Sequence, residues 1–184
     1  IEPLPNTPNV YGSPTTPALS FYGDSQLVVN LVNGNALCKG YLTKYIGAMQ
    51  ANLYDTWLSN NAVSESNYQW LHHIYGENNS VADAIADIAA RDNCIDWQIK
   101  NASLNNVTAI KFMFDGSAGK SAMGFVPASG VVLYVAHGND GVWVRSAHLS
   151  VPLPLSSTSM FAETISALLA FLIAQWILSK STFP

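Results

Sequence analysis

Apolar residues change their spacing several times along this 184-residue chain, and each change predicts an element. Residues 20–30 (SFYGDSQLVVN) have the valine and leucine content of a short buried strand, with Asp24 at its polar end. From about Ala36 to Leu58, apolar side chains at Leu37, Tyr41, Tyr45, Ile46, Met49, Leu53 and Trp57 recur at the helical period, which predicts an amphipathic helix. Residues 67–75 (NYQWLHHIY) alternate as a strand does. The GENNS turn then opens a helix over about 80–91 whose inner face is small and apolar.

The second half predicts strands at 109–115, 130–137 and 141–150, with HGNDG supplying a hairpin turn between the last two. A proline-containing loop, VPLPLSST, leads to a helix over about 159–178 whose first turn holds Glu163. Between the halves, the Asn-rich residues 92–108 show no strong period and read as a linker that reaches about 55 Å if extended. Residues 1–19 repeat Pro, Asn and Thr without periodicity and read as an extended arm, leaving 20–184 as one α/β domain.

Composition narrows the classes. With 49% hydrophobic and 11% charged residues the chain can build one sizeable core, and disorder is not expected. The most apolar run, Ile165 to Leu178, is short for a bilayer and carries Gln175, so a buried helix with no membrane role is expected. Cys38 and Cys94 belong to no metal-ligand spacing, which favours a reducing, intracellular setting over a disulfide scaffold or zinc site. Sequons at Asn78, Asn101 and Asn106 are expected by chance in an Asn-rich chain. No basic-then-apolar leader opens the chain, so Ile1 reads as a processed or externally defined end. The net charge is −4 and the eight Lys and Arg residues are scattered, so any nucleic-acid affinity should be modest and helped by a partner domain.

The candidate chemistry lies in four acids and a histidine: Asp115 in FMFDGS, Glu163 in FAETISALLAFL, Asp24 in GDSQLVVNLVNG, Asp83 in HIYGENNSVADAIADIA, and His73 ten residues before Asp83. Each has a simpler account when taken singly. Asp115 before Gly116 can start a turn, Asp24 can end a strand, and Glu163 and Asp83 can complement helix N-termini. His73 beside His72 can be packed or exposed without a role, and Gln26 can be an ordinary polar strand residue. Several carboxylates gathered in one place, however, suit hard divalent cations, and an imidazole suits proton transfer.

Jointly these segments resemble the type 1 ribonuclease H family, including the ribonuclease H domains of retroelement reverse transcriptases. The matches are the DGS of the first strand, the AE…AL helix, the DSQ-LVVN strand and helix start, and the H-x5-N-x2-AD element. Their order is swapped, because HIYGENNSVADAIADIA precedes FMFDGS. The resemblance therefore implies a ribonuclease H-like α/β fold, a mixed five-stranded sheet with flanking helices, in circularly permuted order. Residues 20–91 would be the original C-terminal half, 92–108 the join and 109–184 the original N-terminal half. The new ends would fall between the Glu163 helix and the Asp24 strand.

It further implies an Mg²⁺-dependent endonuclease acting on the RNA strand of RNA–DNA hybrids and leaving 5′-phosphates. Asp115, Glu163, Asp24 and Asp83 would hold two Mg²⁺ ions, with Mn²⁺ as a substitute, and His73 would serve proton transfer or product release. Gly116 and Ser117 would let backbone approach the nucleic acid, and Gln26 would contact it. A reverse transcriptase or other polyprotein domain is the implied protein partner. The loop GSAGKSAMGF departs from the family in lacking its Asn-Pro-Gly run, for which Lys120 is a partial compensation, and no basic handle helix is present. A non-catalytic ribonuclease H-like tether or assembly module is the alternative function. A monomer closed by the 92–108 linker is the simpler topology, and a swapped dimer the alternative.

Overall fold

A computed structural model of the chain describes residues 18–58, 71–99, 107–119, 121–137 and 142–180. Their order is β1 (Ala18–Gly23), α1 (Gln26–Val32), α2 (Thr43–Leu58), β2 (Leu71–His73), α3 (Ser80–Asp92), β3 (Asp96–Ile99), β4 (Val107–Ser117), β5 (Ala128–His137), β6 (Trp143–Pro152) and α4 (Ser159–Lys180). The strands form one mixed six-stranded sheet in the order β2-β1-β4-β5-β6-β3. β1 runs parallel to both β2 and β4, whereas β4–β5, β5–β6 and β6–β3 are antiparallel. This α/β sheet with helices on its faces is compatible with a ribonuclease H-like fold.

β4 is central because its side chains are apolar on both faces, the pattern of a strand covered on each side. Ile110, Phe112 and Phe114 point into the larger core with Phe21, Val131, Leu133 and Val135, beneath the apolar faces of α1, α2 and α4. Phe21 anchors that core, stacked on Phe112 at 5.1 Å between ring centroids and tilted against Phe171 at 4.3 Å. Met113, one residue out of phase, joins Tyr22 and Val132 under Ala82 and Ile85 of α3 on the opposite face. Glycine at 130 lets α3 approach closely: a Cβ there would lie 2.7 Å from the Ala82 carbonyl and the Ala86 nitrogen.

Five expectations need correction. The sheet has six strands rather than five, because Asp96–Ile99, placed in the linker by its polarity, pairs with β6 as an edge strand. The strand expected over 20–30 ends at Gly23, and QLVVNLV is instead a helix that buries Val28, Val29, Leu31 and Val32. The helix expected from Ala36 begins at Thr43 after a single 3-10 turn over Gly40–Leu42, which leaves Leu37 and Tyr41 exposed. Glu163 is the fifth residue of α4 and not in its first turn. The arm expected over 1–19 gives up Ala18 and Leu19 to β1, where Leu19 is buried. Residues 1–17, 67–70 and 138–141, which include most of the expected arm and of the HGNDG turn, lie outside the described residues.

Candidate carboxylate site

The four acids are brought to one end of the sheet by four different elements. Asp115 lies near the end of β4. The parallel register pairs Gly23 with Phe114, so Asp24, the residue just after β1, emerges beside Asp115. α3 is tied to the same place by Asn79, fully buried ahead of its first turn, whose Nδ2 donates to the Phe114 carbonyl at 2.9 Å. That turn carries Asp83. α4 is fixed from the other side by Ser166, whose hydroxyl donates to the Asp115 carbonyl, and by Gly116, where any Cβ would fall on the backbone of Ala162 and Glu163. Ser129 adds a hydroxyl bond of 3.0 Å to the Ala162 carbonyl.

The result is a set of carboxylate oxygens from Asp24, Asp115 and Glu163 that lie within 4.8 Å of one another. Asp83, more exposed, reaches Asp115 closely enough to share a hydrogen bond with it. Such proximity is costly for like charges out of water. Burial first, and then the charges of and hydrogen bonds to Asp24 and Asp83, push the Asp115 carboxyl up to about 8. Burial, then the charges of Asp115 and Asp24, push Glu163 up to about 9, against a lowering contribution from the Gly116 backbone N–H. Glu163 Oε2 is buried with no hydrogen-bond partner. An orphaned buried oxygen among mutually repelling carboxylates is a donor set suited to a hard divalent cation, which supplies the missing positive charge.

His73 closes one flank of this end. β2 pairs beside β1 so that His73 lies opposite Gly23, and its Nε2 is 3.0 Å from the Asp24 carbonyl oxygen. Its ring also meets Tyr75 edge-on. The expected substrate contacts are placed less directly. Gln26, exposed at the start of α1, bonds Asn30 one turn on at 3.0 Å. Ser117 donates to Asp87 of α3 at 3.1 Å while accepting from the Gly119 N–H. Gly116 serves the packing of α4 and bonds Glu163 through its backbone. Reasoning from sequence missed Ser166, Ser129 and Asp87. Nothing marks Ser166 in a helix sequence, because its partner lies 51 residues away across the fold.

No family profile matches the chain, and comparisons with curated proteins and with solved structures also return no match.

Proposed function

We propose that this chain is a divalent-metal-dependent endonuclease that hydrolyses the RNA strand of RNA–DNA hybrids, built on a circularly permuted ribonuclease H-like fold. The convergence of Asp24, Asp83, Asp115 and Glu163 from four elements at one sheet end carries the reading. Four acids scattered over 140 positions by helix-end or turn preferences alone would have no reason to meet. The sheet order supports the permutation: a three-strand antiparallel meander, β4 to β6, leads inward to β1 and β2, which precede it in sequence.

Asp115, Glu163 and Asp24 would hold one cation, with Asp83 completing the position of a second. Two magnesium ions so held would supply an activated water and charge stabilisation at the departing oxygen. In the overall reaction water adds to phosphorus and the bond to the 3′ oxygen breaks, leaving a 5′-phosphate and a 3′-hydroxyl. The chain's own residues do the rest. Asn79, Ser129 and Ser166 lock the elements that carry the carboxylates, and Glu163 is oriented by the Gly116 N–H. His73, held against the Asp24 carbonyl, is placed to take up or release a proton at the edge of the cluster.

Cleavage of an end-labelled RNA–DNA hybrid with Mg²⁺ tests this reading. Asp24→Asn and Asp115→Asn should each lower the rate by about 10²–10³-fold, the order associated with loss of a charge-stabilising group. An inert parent protein, or variants that cut normally, would sink it. Hybrid binding without cutting would return the chain to the tether reading.

A further inference from the structure

The flank of the carboxylate cluster formed by the ends of β1 and β2 carries no permanent positive charge. Residues 20–36 and 71–90 contain neither Lys nor Arg, and Glu77 adds a further negative charge there. A nucleic acid laid over the carboxylates would find no side-chain cation on this side to neutralise its phosphates. What the flank offers instead is an aromatic ring. Tyr75 is 71% exposed, so its ring is open to a ligand. Among the described residues its one ring contact is an edge-on meeting with His73 at 5.8 Å between centroids, and its hydroxyl makes no hydrogen bond.

A lone exposed tyrosine is ordinary on a protein surface, but the backbone on either side of this one is pinned to the site. The Ile74 N–H donates to the Gly23 carbonyl at 3.0 Å. The Tyr75 carbonyl accepts from the Asn78 N–H at 2.8 Å, closing a single 3-10 turn over Gly76–Asn78, and Asn79 just beyond it is held on the Phe114 carbonyl. A Cβ built on Gly76 would lie 3.4 Å from Asp24 Oδ2. Adding one carbon–carbon bond of about 1.5 Å and one Cα–Cα step of about 3.8 Å puts the Tyr75 Cα within about 9 Å of that carboxylate. A nucleic-acid strand advances about 3.4 Å per nucleotide, so a phosphate seated on the cluster brings two or three neighbouring nucleotides into this span.

In a duplex the base faces are stacked on one another, and a ring that approaches from outside meets sugars and groove edges. The apolar face of a sugar is the surface there that matches a tyrosine ring, whose hydroxyl stays in water. We propose that Tyr75 is a substrate-contact residue, packing on a sugar within three nucleotides of the phosphate held by the carboxylates. This rests on the nucleic-acid reading of the site given above. It adds a contact that is apolar, insensitive to salt and blind to sequence.

The test is fluorescence anisotropy of a labelled RNA–DNA hybrid with the full chain, with Ca²⁺ in place of Mg²⁺, alongside cleavage in Mg²⁺. Tyr75→Ala should weaken hybrid binding by about five- to tenfold, the low end for an aromatic contact to nucleic acid. The slope of log K against log salt should not change, because no phosphate contact is lost. The loss should be equal for hybrids of different sequence, and Tyr75→Phe, which keeps the ring, should restore binding. In cleavage the effect should fall on KM more than on kcat. Binding by Tyr75→Ala equal to the parent's overturns the proposal. A loss confined to kcat overturns it by making Tyr75 a support for the His73 ring, a loss shared by Tyr75→Phe by assigning the effect to the hydroxyl, and a loss that varies with sequence by assigning it to a base. A parent that binds the hybrid without cutting it sinks the nuclease reading alone, and the binding of the two variants still decides Tyr75. A parent that binds no hybrid overturns both.

Discussion

Neutralising Asp115 should stabilise the metal-free protein, and by an amount that grows with pH. In the folded chain this carboxyl is pushed from 3.8 to about 8, by burial first and then by Asp24 and Asp83. At about 1.4 kcal/mol per tenfold change in proton affinity, that corresponds to roughly 6 kcal/mol as an upper bound. Hydration from the exposed Asp83 side lowers the effective value to about 2–4 kcal/mol. The sign follows from proton counts: between about pH 4 and pH 8 the folded state holds a proton on Asp115 that the unfolded chain has released. Stability from this group is therefore complete below the unfolded value and lost as pH rises through the folded one.

Asp115→Asn removes that loss. Parent and variant should unfold alike near pH 4, and the variant should be the more stable by about 2–4 kcal/mol at pH 9, or about 5–12 °C in Tm. Urea or thermal unfolding in EDTA across this range is the assay. Adding Mg²⁺ or Mn²⁺ at pH 9 should raise the parent's Tm and leave the variant's nearly unmoved, because the cation binds the folded cluster alone. A variant less stable than the parent at pH 9 in EDTA, or a difference constant with pH, would refute the electrostatic account of the site.

Three other outcomes are expected. Gly116→Ala should cost about 2–3 kcal/mol and cut activity, since its Cβ meets the α4 backbone at Glu163, and a variant as stable as the parent would show that α4 is not seated there. Asn33→Ala, which removes paired bonds of 2.8 and 3.0 Å to the Leu71 carbonyl and amide, should destabilise by about 1–3 kcal/mol and speed hydrogen exchange at Leu71 and His73. His73→Ala should lower kcat by about 10–100-fold with little change in KM, whereas an equal loss in both would place the ring in substrate binding rather than proton handling.

Local chemistry decided which parts of this structure could be read from the chain. α3 was legible because Ala82, Ile85, Ala86, Ala89 and Ala90 repeat at helical spacing and all are buried. Asp24, Asp83 and Asp115 were legible because each stands near the end or the opening of an apolar element, and Glu163 because it precedes the longest apolar run of α4. α1 was not: seven residues give barely two turns, so the valines in QLVVNLV carry a strand signal that only packing against α2 and β2 reverses. β3 was hidden for the opposite reason. Trp97 and Ile99 alternate with Asp96 and Gln98, but at 42% and 58% exposure they are apolar residues facing outward, the reverse of the usual pattern.

The parts that escaped reading are also the parts that make the carboxylate site specific. Asp115 and Glu163 identify themselves by type and position, but what holds them together is backbone chemistry: the Asp115 carbonyl accepts from Ser166, the Phe114 carbonyl from Asn79, and the Glu163 carboxylate from the Gly116 amide. These bonds join residues far apart in sequence and become visible only once the sheet has formed. The same holds at the other end of the α3 face. Lys111 looks like an isolated charge in an apolar strand, and only the strand register brings the Tyr134 and Trp143 rings against its ammonium.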